Sequence, residues 1–226
     1  MAPWPVAQNI GPDLEFLASI GVSGHYADMT DDRGMDMGAL KLYLIGRKGM
    51  DPSLNTTQLI VHFTDGFFGK PAGVHMRKYI DTLGASMLSY GAALPPSTDP
   101  TGKDANRGWA HSPVLGNLTF MLVADAMALA KRAAVGSGVA EHVNRVAGAM
   151  VTVQFIALVR WQELRNYNVH RQHQWPFAPT IEDEFDRFAS QLQRMGVATI
   201  SQGSHTKGRC GWHCNISQFR AQVIPL

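Results

Sequence analysis

In the stretch MVTVQFIALVRWQELRNY, residues 150–167, one arginine stands at the end of a run otherwise composed like a hydrophobic core. Val151, Val153, Phe155, Ile156, Ala157, Leu158 and Val159 are apolar around nearly the whole circumference of a helix, the pattern of a buried helix. Arg160 follows them directly. A guanidinium withdrawn from water without a partner is strongly unfavourable. Arg160 therefore predicts one of two things: a carboxylate partner, with Glu163 and Glu182 the candidates, or a site that uses the charge. Further on, RNYNVHRQHQW (165–175) mixes arginine and histidine with Tyr167 and Trp175. Such a mixture can hold RNA phosphates while aromatic rings stack on bases, and it is equally the composition of a solvated helix end. RCGWHC (209–214) carries Cys210 and Cys214, with His205 and His213 near them. The Cys-x3-Cys spacing is loose for structural zinc and no second ligand cluster accompanies it, so no metal site is expected. A small disulfide loop and two thiols both remain open.

The elements that must position these residues read as follows. Residues 12–20 form a short helix with Asp13 near its start. GALKLYLIGRKG (38–49) reads as a strand and turn, and TTQLIVHFTD (56–65) as the next strand, so the two predict a hairpin. Residues 74–90 have a helical period through Met76, Tyr79, Ile80, Leu83 and Met87. Residues 95–108 are a polar loop rich in Pro and Gly. Helices then follow over 117–134, 138–166 and 180–196. The last has Thr180 as N-cap, acidic residues in its first turn and Gly196 as its stop. A strand-bearing first part followed by helices predicts an α+β fold, with residues 1–226 as one domain.

Composition narrows the classes. The chain has 226 residues, ordinary apolar content and rather few charges, which indicates a globular protein with a sizeable core. Its net charge is +2 with nine histidines uncounted, too small an excess to predict nucleic-acid binding by itself. No uninterrupted apolar run approaches the roughly 18 residues of a membrane helix, and no membrane partner is expected. The N-terminus lacks the features of a signal peptide. Sequons at Asn55, Asn117 and Asn215 allow secretion, so a secreted or vacuolar-type location and a cytoplasmic one both stay open.

Taken in order, several segments resemble the ribosome-inactivating proteins, the ricin A-chain and Shiga toxin A group. KLYLIGRKG is similar to that family's Tyr-strand-Gly turn, and SPVLGNLTFMLVADAMALA to the segment that opens its central helix. ALVRW resembles its Glu-Ala-x-Arg-Phe signature, TIEDEFDRFASQLQ the helix that follows, and NISQFRAQVIPL a C-terminal stretch. The resemblance implies a ribosome-inactivating-type fold with a shortened N-terminal sheet ahead of a helical part. It implies an rRNA adenine N-glycosylase, with ribosomal RNA and the ribosome as partners, adenine as product and no cofactor. Tyr43 and Tyr90 would sandwich the adenine, Phe185 would floor the pocket, and Arg160 would act on the base. Ala157 stands where the family has its catalytic glutamate, which implies impaired activity with Glu182 supplying a carboxylate. The same scaffold without catalysis, as an adenine- or RNA-binding, storage or defence protein, is the alternative.

Overall fold

A computed structural model describes residues 7–24, 36–93, 115–171, 174–200 and 214–224. Among these residues the protein is built of helices. In chain order they are α1 (Ala7–Ser19), α2 (Gly38–Met50), α3 (Thr56–Phe68), α4 (Lys70–Ala93), α5 (Asn117–Gly136), α6 (Ala140–Val159), α7 (Trp161–Arg171), α8 (Ile181–Arg194) and α9 (Ile216–Val223). Two strands of two residues each, β1 (Thr199–Ile200) and β2 (Cys214–Asn215), pair antiparallel between α8 and α9. All but one of the buried apolar residues from Ala7 to Phe219 form one contiguous cluster, Ala178 being the exception.

The expected α+β fold with an N-terminal sheet is therefore incorrect, and the hairpin over 38–49 and 56–65 is two helices. Leu40, Leu42 and Leu44 alternate as a half-buried strand would. The structure instead buries Leu40, Lys41, Leu44 and Lys48, a helical stripe, and leaves Leu42 outside. Two lysines can lie on that stripe because each finds a partner elsewhere, Lys41 an ion pair with Asp36 at 4.0 Å. Lys48, with no exposed surface, donates to Glu15, to Pro52 O and to Leu54 O at 2.7 Å. In α3 the β-branched residues suggest a strand, but Ile60, Thr64 and Phe68 are buried four apart. Thr64 Oγ1 donates back to Ile60 O at 2.8 Å, so its hydroxyl fits inside a helix. Asn55 caps α3, its side chain accepting from Gln58 N.

The remaining elements sit closer to expectation. α1 begins earlier than residue 12 and carries Pro12 within it. It lies so close to α3 that a Cβ at Gly11 would come within 1.8 Å of Thr56 Oγ1, so only glycine fits there. α4 buries Met76, Tyr79, Ile80 and Leu83 as their spacing predicts. α8 has Thr180 as N-cap, accepting from Asp183 N, and Gly196 follows its end with φ 70°. The helix expected over 138–166 is two, α6 and α7, broken at Arg160 (φ −113°, ψ 23°). α6 is long and apolar enough by composition to cross a membrane. Ten of its residues are nevertheless buried in this core, with α5 and α8 packed against it. The loop at 95–108, Cys210, His205 and His213 lie outside the described residues, as do the side chains of Cys214 and Tyr90.

Candidate functional site

The partners of Arg160 are structural. Nε donates to Glu163 Oε2 at 3.0 Å and Nη2 to Glu163 Oε1 at 2.6 Å, a bidentate pair. Nη1 donates to Leu115 O at 2.5 Å, and Nη2 also to Asn117 Oδ1. The guanidinium thus holds Glu163 of α7 with one edge and the start of α5 with its other N–H groups. The side chain is 5% exposed. Of the two carboxylates the sequence offers, Glu163 is the partner, and Glu182 lies exposed in the first turn of α8.

The other residues expected around an adenine have separate neighbours. Tyr43, half-buried on α2, shares a hydrogen bond of 3.0 Å with His62 Nδ1 and packs on Phe63. Phe185 is buried on α8 against Phe188 and Phe219, with Arg220 over its ring. Tyr90 belongs to α4. Ala157 has no exposed surface and faces the core from α6. No described interaction joins Tyr43, Arg160 and Phe185. In the 165–175 segment, Trp175 is committed as well: its Nε1 donates to Ala178 O, Trp161 meets it edge-on, and Arg165 covers its ring at 5.1 Å.

Two features that residue patterns did not reveal stand out. The first is a buried polar cluster. Asp36 Oδ1 accepts from Tyr79 at 2.5 Å and from Thr152 at 3.4 Å, and Lys41 Nζ lies 4.0 Å from Asp36 Oδ2. All four are nearly or wholly sealed from solvent. Burial lowers the Lys41 pKa against the raising influence of Asp36. Burial, followed by the charge of Asp36 and the hydrogen bond to it, raises that of Tyr79 well above 10.0. Tyr79 in the folded protein keeps its proton at pH values where an unfolded tyrosine loses it. The folded state then binds more protons, and stability falls as pH rises above the unfolded tyrosine value of about 10. Lys41, lowered by burial, contributes in the opposite sense below the unfolded lysine value of about 10.4. Urea melts between pH 9 and 11 should therefore show the Tyr79 component as the difference in slope between the parent and Tyr79→Phe, up to about 1.4 kcal/mol per pH unit. Tyr79→Phe should remove this component. An unchanged slope in the variant would place the titration elsewhere.

The second feature is a cleft of about 700 Å³ between α5, α6 and α8. Lys131 and Arg132 enter from α5, and Asp183, Asp186, Arg187 and Arg194 from α8. Gln154, Glu184 and Gln191, all buried, make its polar floor, with Phe177 and Met150 as apolar wall. Glu184 is occupied: Oε1 accepts from Gln154 at 2.7 Å and Oε2 from Ala178 N at 2.8 Å. Asp186 lies 4.0 Å from Arg220, and Arg194 donates to Gln191. Lys131 and Arg132 are exposed and have no ionic partner among the described residues. The signal for this cleft in the sequence is only the pair KR at 131–132, since its acidic and basic α8 residues also follow the helix-dipole preference.

A family model described as "Domain of unknown function (DUF4838)" matches residues 1–81 of the 226, which reach from before α1 into α4. No curated protein and no solved structure matches the chain. The resemblance to ribosome-inactivating proteins is thereby corrected. The family match points elsewhere, and helices occupy the positions where the resemblance requires an N-terminal sheet. What the chain is similar to is that domain family, over its first third, with the cleft lying wholly beyond the matched segment.

Proposed function

We propose that this chain is a ligand-binding helical domain whose α5–α6–α8 cleft takes a small organic anion, phosphorylated or carboxylated. The observation that carries this reading is the pair Lys131 and Arg132, two exposed cations without ionic partners among the described residues, above a buried polar floor that includes the amides of Gln154 and Gln191. A cleft of about 700 Å³ lies in the range of small-molecule sites. Of the charged residues lining it, four are basic (Lys131, Arg132, Arg187, Arg194) and three acidic, and the buried acid Glu184 is already occupied. Charge-assisted hydrogen bonds to an anionic group are then the strongest contacts the site can add.

Binding fits these residues better than depurination does. Expelling adenine needs a carboxylate facing the sugar and a cation facing the base. Arg160 is committed to Glu163, Leu115 and Asn117, and Ala157 is enclosed in the core.

Calorimetric titration with inorganic phosphate, citrate and adenosine monophosphate at low ionic strength tests the proposal. At least one should bind saturably, and Lys131→Glu with Arg132→Glu should weaken it by about tenfold or more. Both residues are exposed, so the double variant should stay folded. Equal binding by the double variant, or none of the three ligands bound by the folded protein, removes the reading.

A further inference from the structure

A second cavity, of about 200 Å³ and with a lining distinct from that of the cleft, lies where α2, α3 and α6 meet the end of α8. Phe63, Phe67 and Phe68 of α3 line it together with Met37, Met195 and the small residues Gly148 and Ala149 of α6. Arg145 supplies the single charge among its lining residues. We infer that this cavity binds a small aromatic carboxylate, its ring among the phenylalanines and methionines and its carboxylate on Arg145.

Four observations bear on this. An apolar cavity of about 150 Å³ already holds a benzene ring, so the volume suits one ring and a short substituent. Phenylalanine rings here are arranged for aromatic contact: Phe63 stacks on Phe67 at 4.8 Å, and Phe67 meets Phe68 edge-on at 5.0 Å. Methionine thioethers adapt to a ring's shape and are favourable at its edge.

The third observation is the backbone of Met37. Its φ of 50° and ψ of 33° are left-handed, and no other non-glycine residue among those described has positive φ. This conformation is unfavourable for a residue with a Cβ, and it persists only where the surroundings over-determine it. The surroundings here are the buried cluster: Asp36, the preceding residue, is fixed by Tyr79, Thr152 and Lys41. The strained residue lies on the cavity lining, and the sealed polar network holds it there.

Arg145 is the fourth. It lies 4.4 Å over the Phe67 ring, donates Nη1 to Phe67 O at 3.0 Å and pairs with Glu141 through Nη2. About a third of its side chain remains exposed, and its further N–H groups are available to a carboxylate. The helix contributes space as well. A Cβ on Gly148 would meet only Met195, at 3.8 Å, so larger residues at 148 grow toward the cavity.

The test is NMR of methionine methyl groups in the whole chain during titration with phenylacetate, phenylacetamide and phenethylamine. Phenylacetate should shift the Met37 methyl saturably and bind about tenfold or more tighter than phenethylamine. Arg145→Gln should erase that preference while leaving weak binding of the ring. Gly148→Leu should abolish binding. Should that variant fail to fold, Gly148→Ala, whose methyl makes ordinary contact, should fold and weaken binding several-fold. The inference is overturned by the absence of a saturable Met37 shift, by a preference for the amine, or by undiminished binding in a folded Gly148 variant. This site shares no lining residue with the anion cleft, so loss of either proposal leaves the other standing.

Discussion

Ala157→Glu should unfold this protein or lower its stability by at least about 4 kcal/mol, in the range reserved for buried uncompensated charge. Ala157 has no exposed surface, and its neighbours along α6, from Val153 to Leu158, are equally enclosed. A glutamate there adds a longer side chain to a packed helix face and puts a carboxylate among buried, mostly apolar neighbours. Arg160, three residues on, already directs four of its five N–H groups to Glu163, Leu115 and Asn117. Urea melts followed by circular dichroism would measure the loss, with Val135→Glu, at an exposed position of α5, expected within about 0.5 kcal/mol of the parent. The resemblance to ribosome-inactivating proteins implies the opposite result at residue 157, a folded variant with raised depurination. A stable Ala157→Glu protein would contradict the packing described here and reopen that position as a site.

Arg160→Leu should cost about 3 kcal/mol. Breaking a buried ion pair by removing one member costs about 3–5 kcal/mol, and this case belongs at the lower end because Glu163 is half exposed and rehydrates. The larger share comes from Leu115 O and Asn117 Oδ1, which lose their donor at the entry to α5. The loss should therefore be local as well as global: amide exchange in the first turn of α5 should quicken more than in α3. Arg160→Lys should recover only part, since an ammonium cannot hold Glu163 bidentately while reaching α5. An unchanged urea midpoint in Arg160→Leu, with α5 exchange unaltered, would mean that the guanidinium pins nothing.

Both predictions turn on what the helix at 150–159 can disclose about itself. Its burial is legible, because apolar residues around the whole circumference have no other stable environment in a globular chain. The break after it is not. Arg160 continues a helical pattern, and the chain departs there because the guanidinium is drawn toward the start of α5, more than forty residues earlier.

Local chemistry is what the sequence by itself determined. Thr180 and the acidic turn after it begin α8, Gly196 follows its end, and the period through Met76, Tyr79, Ile80 and Leu83 buries one face of α4. Each of these depends on residues within one or two turns of one another, so their order alone specifies them. Tertiary structure decided the rest. Residues 38–50 alternate as a strand through Leu40, Leu42 and Leu44, and equally carry a helical stripe if Lys41 and Lys48 can be buried. Whether they can depends on Asp36 for the first, and on Glu15 and the carbonyls of Pro52 and Leu54 for the second. A buried cation is unfavourable until its partner arrives, and the key partner of Lys48 sits on another helix. The choice between strand and helix at 38–50, like the strained Met37 and the partners of Arg160, is therefore made only when the helices meet.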